Sequence, residues 1–365
     1  MPAQARASAG HVRRPRTLAH VYRHFAEVDA AGSSPLHQRV AVALSESDEA
    51  LHAIEAAPPR KRQPRLILAA LHDLALTGRA PALAAALAAA DGDAAAGAAI
   101  DTLLTMTDSV VAVALRRQVR TDETGHGAVL YPAIAEAAHR TGATAIGLVD
   151  LGCSAALNLT VDRVALAYDN GQTLGDPSSP VRLSSSLVGD RPLPARTMPE
   201  VVARVGVDLD PVDVTDADDA RWLRACLWPD QPERAARLEA ELTLAATAPP
   251  LLLRGDPVEL LPDAVAQVPA EALPVVTTTW ALSRVPLESR LRFLHRLDEA
   301  AAGRAMAWVS AEGVGVAPAV PTLGDRRASG HSIIGLTLLD RSALHAEAVG
   351  RCWSRGRFLA WLADS

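Results

Sequence analysis

The 365-residue sequence contains a single lysine, Lys61, so nearly all of its positive charge is carried by arginine. Lys61 lies in the polar stretch PPRKRQPR, which argues against catalysis through a Schiff-base lysine. The three cysteines, Cys153, Cys226 and Cys352, lie far apart, and no pair has the spacing of metal ligands. A small and odd number of cysteines is typical of a protein from a reducing compartment.

Long apolar runs are also missing. No run reaches the roughly 18 apolar residues that a membrane span needs, and the N-terminal stretch MPAQARASAGHVRRPRTLAH lacks the apolar core of a secretory signal. The formal net charge is −6, which argues against a general nucleic-acid binder because such proteins carry a basic balance. We therefore expect a soluble, cytoplasmic protein that binds neither membrane nor nucleic acid; its oligomeric state cannot be read from the sequence.

The composition allows two domains, because 49% of the residues are hydrophobic and can form a sizeable core. Residues 1–15 predict a disordered N-terminus. Over residues 16–125 the apolar residues fall at helical spacing, with breaks at GSSP, at the prolines around Lys61 and near DGD. This pattern predicts a helical N-terminal domain, which would serve as a lid or substrate domain.

Residues 126–365 have a different pattern, in which short continuous apolar runs alternate with helical stretches. Such runs are typical of strands buried on both faces; they are TAIGLVDLG, VARVGVDLDP, PPLLLRGDP, ALPVVTTTWA and RAMAWVSAEG. The alternation predicts an α/β fold with a doubly wound, mostly parallel sheet. Turn signals at Asn170-Gly171 and GDPSSP predict a β-hairpin insertion at about 164–200. Residues 331–362 predict an antiparallel edge.

The stretch GLVDLGCSAALNL at 147–159 contains the first predicted turn from strand to helix. In an open parallel sheet, ligands bind beyond the carboxyl ends of the strands, where the strand order reverses. Asp150 ends the strand, Gly152 permits an unusual backbone angle, and the small residues that follow allow a ligand to approach closely. An ordinary tight turn explains the same residues equally well, since the three-glycine dinucleotide pattern is incomplete.

Two later strands also end in an acid. Asp208 follows VARVGV and can accept both hydroxyls of a ribose, and Asp256 follows LLLRG and can accept an adenine amino proton. Together with Asp150, these acids form a more specific pattern than any one strand end. The set resembles the class I S-adenosylmethionine-dependent methyltransferases, with Ser154 and Ala156 at positions where glycine is usual.

The resemblance covers about residues 140–365. It implies a Rossmann-type fold, S-adenosylmethionine as cofactor, and methyl transfer to a small-molecule acceptor. The cofactor-binding residues that it implies lie at the ends of the first four strands: Asp150, Gly152, Cys153, Ser154, Asn158, Asp208, Leu209, Asp256, Pro257 and Thr279. Asp208 would bind the ribose, Leu209 would pack on the adenine, and Asp256 would face the adenine amine.

Other implied roles each have a structural alternative. In RTDETGH, at 120–126, Glu123 or His126 would act as a general base if the segment passes over the substrate; a helix cap followed by a turn is the alternative. Trp280 would form one wall of the substrate cleft, because an aromatic ring suits a cationic sulfonium. Packing in the core is the alternative for this residue. Asn158 would line the pocket or cap a helix, and Cys153 would be a reactive thiol or a small buried filler.

The whole chain is also similar to a bacterial family without an assigned activity. The similarity rests on stretches such as VYRHFAEVDAAGSSPLHQRVA, RRQVRTDETGHGAVLYPAI and DLGCSAALNL. That family usually carries Thr-Asn-Glu where this chain has Thr121-Asp122-Glu123.

Two other functions remain open. A nicotinamide-dependent oxidoreductase would also use an acid on the ribose, but it needs a fuller glycine pattern. A non-catalytic ligand-binding or scaffold protein would retain the fold alone. We expect no metal site, because the eleven histidines are scattered along the sequence.

Overall fold

The computed structural model describes residues 17–120, 126–301, 303–340 and 343–363. The chain divides into two compact units, one of Met1–Val119 with Arg224–Pro232 and one of Arg120–Leu223 with Glu233–Ser365. The disordered N-terminus predicted at 1–15 lies outside the described residues.

The described residues of the first unit are mainly helical. Its α-helices are α1 (Leu18–His24), α2 (Pro35–Glu46), α3 (Asp48–Glu55), α4 (Pro64–Leu76), α5 (Pro81–Ala88), α6 (Gly92–Thr105) and α7 (Thr107–Arg116). Side-chain oxygens of Ser34, Ser47 and Asp91 accept backbone N–H groups at the starts of α2, α3 and α6. These caps satisfy N–H groups that have no partner within the helix, which fixes where the three helices begin. The predicted break near DGD separates α5 from α6.

None of the described helices is by itself long and apolar enough to cross a membrane. Two consecutive pairs, α4 with α5 and α6 with α7, reach that length and composition only together, and they are bent by 104° and 90° at their breaks. Most of the α4 residues are buried within the protein.

The second unit contains a large sheet. Its strands are β1 (Ala145–Leu151), β2 (Ala165–Tyr168), β3 (Thr173–Gly175), β4 (Arg182–Leu187), β5 (Glu200–Asp208), β6 (Leu251–Arg254), β7 (Leu273–Thr279), β8 (Met306–Gly313), β9 (Ser332–Asp340), β10 (Ala343–Trp353) and β11 (Phe358–Trp361). The α-helices after residue 126 are α8 (Gly127–Thr141), α9 (Ala217–Cys226), α10 (Pro232–Ala246), α11 (Leu261–Val265) and α12 (Leu287–Ala300). The five strands predicted as apolar runs are confirmed as β1, β5, β6, β7 and β8.

The strand order is β3-β2-β4-β11-β10-β9-β8-β7-β1-β5-β6. From β6 to β8 all neighbours are parallel. The chain starts this part at β1, adds β5 and β6 on one side, and then crosses to β7 and β8 on the other. The order therefore reverses between β1 and β7. The remaining strands are attached beyond β8, and the sheet as a whole is mostly parallel within a mixed α/β fold.

Burial on both faces explains why the central strands are apolar throughout. In β1, Leu148 packs into a core that includes Ile134 of α8, whereas the next residue, Val149, packs into a core that includes Leu261 of α11 and Phe293 of α12. Successive side chains of a strand point to opposite faces. A strand covered by helices on both sides therefore reads as a continuous apolar run.

Three details differ from the sequence predictions. A hairpin of β2 and β3 does lie within 164–200, but β4 joins it, and β4 also pairs with β11. These strands therefore extend the main sheet, and the predicted antiparallel edge, β9 to β11, lies inside it. The α-helix expected after β1 is instead a short 3-10 helix, Leu157–Arg163.

Candidate functional site

The loop that follows β1 has a left-handed backbone at three alternate residues. The angle φ is +70° at Gly152, +51° at Ser154 and +55° at Ala156. For residues other than glycine this conformation is uncommon and costs about 1–2 kcal/mol. The loop therefore keeps a glycine-type conformation at two positions that lack glycine. Backbone strain of this kind persists only where the surrounding structure fixes it, and it is frequent at ligand sites.

Contacts with β5 fix the loop. The backbone N–H groups of Gly152 and Cys153 donate to the carbonyl oxygen of Val207, at 2.8 and 3.3 Å, and the N–H of Ser154 donates to Oδ2 of Asp208 at 3.0 Å. Cys153 is buried, and a β-carbon on Gly206 would lie 2.8 Å from its sulfur. Cys153 thus fills the space between the loop and β5.

The strain at Ala156 can be measured against its neighbour, because Ala155 and Ala156 are both 2% exposed and only Ala156 has a positive φ. Either change to glycine removes a buried methyl and adds freedom to the unfolded chain, which destabilises the protein. At residue 156, glycine also relieves the left-handed strain. We expect Ala155→Gly to lower the free energy of unfolding by about 1–2 kcal/mol more than Ala156→Gly does. Equal losses in urea denaturation would contradict the strain.

The loop lines a cavity of about 90 Å³ at the carboxyl ends of β1 and β7. The structure brings together there these residues predicted from the sequence: His126, Gly152, Cys153, Ser154, Asn158, Thr279 and Trp280. Sequence reasoning missed other polar residues of the lining, namely Thr160, Glu241, Arg284 and Arg355. The last three lie 85 residues or more from the loop in the chain, and no local pattern marks them.

His126 precedes α8, and its ring packs against Trp280 with 4.7 Å between ring centroids. Burial lowers the pKa of His126 to about 4; the charges of Arg355 and Arg284 lower it further, and a hydrogen bond with Asn158 raises it. The imidazole is therefore neutral at physiological pH. Its Nε2 atom is buried without a hydrogen-bond partner among the described residues, and so is Oγ1 of Thr279. Buried polar atoms normally have partners, so both atoms are available to a ligand.

Asp150 does not line the cavity. The residue is 1% exposed, and its carboxylate accepts hydrogen bonds from Oγ1 of Thr277 at 2.7 Å and from Nδ2 of Asn158 at 3.3 Å. Asn158 thus links Asp150 to His126 and is one of the residues that line the cavity. Thr277, two residues before Thr279 on β7, was not predicted.

Asp208 lies at the end of β5, outside the cavity lining. Besides the Ser154 N–H, its carboxylate accepts the N–H of Asp210 at 2.9 Å. The Nη1 atom of Arg120 lies 4.0 Å from Asp208 Oδ1, and Nη2 donates to Asp210 Oδ2 at 2.8 Å. Sequence reasoning missed Arg120, because its partners Asp208 and Asp210 are 88 and 90 residues away in the chain. A carboxylate has about four acceptor positions, so Asp208 retains capacity for further donors.

The predicted adenine residues also lie outside the cavity. Leu209 is 70% exposed. Asp256 is exposed, and its Oδ1 atom accepts the N–H groups of Val258 and Glu259 at 2.8 and 3.3 Å, so it caps the turn after β6. Pro257 lies within this turn. Glu123 lies outside the described residues.

The loop after β7 is held by a buried acid that the sequence did not indicate. Glu312 of β8 accepts the N–H groups of Leu282 and Ser283, at 2.9 and 3.3 Å. In the same loop, Trp280 has a φ of +51° and donates from Nε1 to Oγ of Ser332 at 2.8 Å. Trp280 is therefore fixed as one wall of the cavity.

The described side chains include no group of three or more His, Cys, Asp or Glu that could hold a metal ion. The chain belongs to a bacterial family: the model described as "Uncharacterized protein conserved in bacteria (DUF2332)" matches residues 19–361. The family resemblance seen in the sequence is thus confirmed. Neither the curated proteins nor the solved structures contain a match.

Proposed function

We propose that the protein binds S-adenosylmethionine at the carboxyl ends of β1, β5 and β7 and transfers its methyl group to a small-molecule acceptor. The observation that carries this proposal is the left-handed backbone at Gly152, Ser154 and Ala156. In the resemblance to the methyltransferases, these three residues correspond to the alternate positions where that family carries glycine. The reversal of strand order between β1 and β7 supports it, because open α/β sheets bind ligands at such points.

The residues present fit the cofactor. The backbone of Gly152 and Ser154 would pass close to it, Asp208 would accept its ribose hydroxyls, and the exposed side chain of Leu209 would offer an apolar face to the adenine. The enclosed cavity is about 90 Å³, smaller than the roughly 300–1,000 Å³ of typical small-molecule pockets. The ribose and the adenine, which Asp208 and Leu209 would contact, would therefore lie outside this cavity.

The cofactor, when bound, supplies a methyl group on a positively charged sulfur. The chain's task is to align the acceptor and exclude water. Trp280 closes the cavity with its ring, whose face suits a cation. Nε2 of His126 would accept a hydrogen bond from the acceptor's hydroxyl or amine, because the neutral imidazole is a hydrogen-bond acceptor. Its lowered pKa makes it a weak base, so its role would be to orient the acceptor. Thr279 Oγ1 would orient the same group.

Calorimetry with S-adenosylmethionine and S-adenosylhomocysteine tests the proposal. Each hydrogen bond to a charged group contributes about 1.5–3 kcal/mol. We therefore expect Asp208→Ala to weaken binding at least about tenfold. Asp298→Ala, which changes an exposed aspartate of α12, is the matched control and should bind as the wild type does. Circular dichroism would establish that both variants are folded. Absence of binding by folded wild-type protein would overturn the proposal.

A non-catalytic ligand-binding protein is the second candidate, and the contact between Arg120 and Asp208 favours it. The guanidinium occupies one side of the carboxylate that would otherwise meet the ribose. The same titrations separate the two functions, because a sensor or scaffold with an altered pocket would bind neither cofactor form.

A further inference from the structure

A second, larger cavity lies where β2, β4 and β11 meet. Its volume is about 580 Å³. Its polar lining contains three arginines and residues of the serine run of β4, whose successive side chains alternate between the two faces of the strand: Arg237, Arg355, Arg357, Ser184, Ser185 and Ser186.

The side chains that line this cavity carry more positive than negative formal charge. Asp169 is the acidic residue of the lining, and its Oδ1 atom accepts the N–H of Leu187 at 2.8 Å. Three arginines against one aspartate leave a formal charge of +2 from the lining. Arg237 comes from α10, whereas Arg355 and Arg357 flank Gly356 in the turn between β10 and β11. Separate segments therefore bring these cations to one place.

Ser185 supplies an independent indication of a ligand. The residue is 5% exposed, and its Oγ atom has no hydrogen-bond partner among the described residues. A buried hydroxyl without a partner is costly and uncommon. Because Ser185 lines the cavity, a bound acceptor group would satisfy it.

We infer that this cavity binds the phosphate group of a small phosphorylated molecule. Guanidinium groups match the oxygens of phosphate and carboxylate alike. A phosphate monoester carries up to two charges and three free oxygens, so it can engage several arginines and a serine hydroxyl together. A carboxylate has one charge and two oxygens, and it would leave most of this lining unused. The volume leaves room for the organic part of the molecule.

The cavity adjoins the proposed methyl-transfer site. Leu183 and Arg355 line both cavities. A molecule anchored by its phosphate would thus extend towards His126 and Trp280. This identifies the acceptor class as a phosphorylated metabolite, a step that rests on the proposed function, whereas the phosphate site itself does not.

Titration of the full-length protein with inorganic phosphate tests the site, with acetate as the carboxylate probe, at about 0.15 M ionic strength. We expect phosphate to bind at least about tenfold more tightly than acetate. Arg357→Gln and Ser185→Ala should each weaken phosphate binding about fivefold or more. Arg327→Gln, an exposed arginine elsewhere in the second unit, should bind phosphate as the wild type does.

Three results would overturn the phosphate site: no phosphate binding, equal affinity for acetate, or an equal loss in Arg327→Gln. Asp208→Ala separates the two proposals, because it should retain phosphate binding even though it binds S-adenosylmethionine more weakly. If phosphate binds and S-adenosylmethionine does not, the phosphate site holds and the methyltransferase function fails.

Discussion

Replacing Glu312 with glutamine should remove a loss of stability that the wild-type protein undergoes between acid and neutral pH. Glu312 is 1% exposed. Burial raises its pKa to about 7, although the N–H groups of Leu282, Ser283 and Ala281 and the charge of Arg290 act in the opposite direction. In the unfolded chain a glutamate titrates near its ordinary value of about 4.3.

The direction of the effect follows from proton binding. Between these two pKa values the folded state holds a proton that the unfolded state has lost, so stability falls as the pH rises. The contribution is fully present below the unfolded pKa and is lost by the time the pH exceeds the folded pKa of about 7. Glutamine keeps the shape and one acceptor oxygen but does not titrate. From about pH 5 to pH 8 the wild type should therefore lose about 2–3 kcal/mol relative to Glu312→Gln.

Urea denaturation of both proteins at the two pH values measures this difference. Burial also lowers the pKa values of His37 and His126 to about 4. Their folded states bind fewer protons than the unfolded chain, so their effect has the opposite sign. Because both histidines are present in the wild type and the variant, their effects cancel in the comparison. Glu288→Gln alters a largely exposed acid of α12 and should show no such pH dependence. A constant difference between wild type and Glu312→Gln would contradict the raised pKa.

The central strands could be predicted from the sequence because burial on both faces leaves a direct signature, a continuous apolar run. The extension by β2, β3 and β4 could not. In β4, Arg182–Leu187, the sequence RLSSSL contains three serines, and its exposed and buried residues alternate at first. Nothing in such a short polar segment says that it joins the main sheet beside β11, because that pairing spans more than 170 residues.

The candidate site was predictable to the extent that its residues lie next to strand ends. Gly152 and Ser154 lie in the loop after β1, Thr279 is the last residue of β7 and Trp280 follows it, and all four line the cavity. The left-handed backbone of Ser154 and Ala156 was not predictable, because serine and alanine rarely adopt it. Likewise, the contact of Arg120 with Asp208 depends on packing between distant segments.

Gly206 is the residue that lets the loop lie against β5, and Gly206→Ala should therefore disturb the site as well as the fold. A β-carbon there would lie 2.8 Å from the Cys153 sulfur, 3.0 Å from Cδ2 of Leu252 and 3.4 Å from the Ala156 β-carbon. Gly206 pairs with Asp150 in the centre of the parallel strands, where backbone movement is restricted. Overpacking of a core costs about 1–3 kcal/mol. We expect Gly206→Ala to lower the free energy of unfolding by an amount in the upper part of that range.

A double-mutant cycle with Cys153→Ala tests this cause. Removal of the sulfur alone leaves a small void, which costs about 1 kcal/mol. In the double variant the alanine methyl at residue 206 enters that void, so the combined loss should be smaller than the sum of the single losses by about 1 kcal/mol or more. If the two losses were additive, the new methyl group at residue 206 would clash with Leu252 rather than with Cys153. Because Ser154 follows Cys153 and donates to Asp208, Gly206→Ala should also weaken ligand binding at the loop, and Cys153→Ala should restore it.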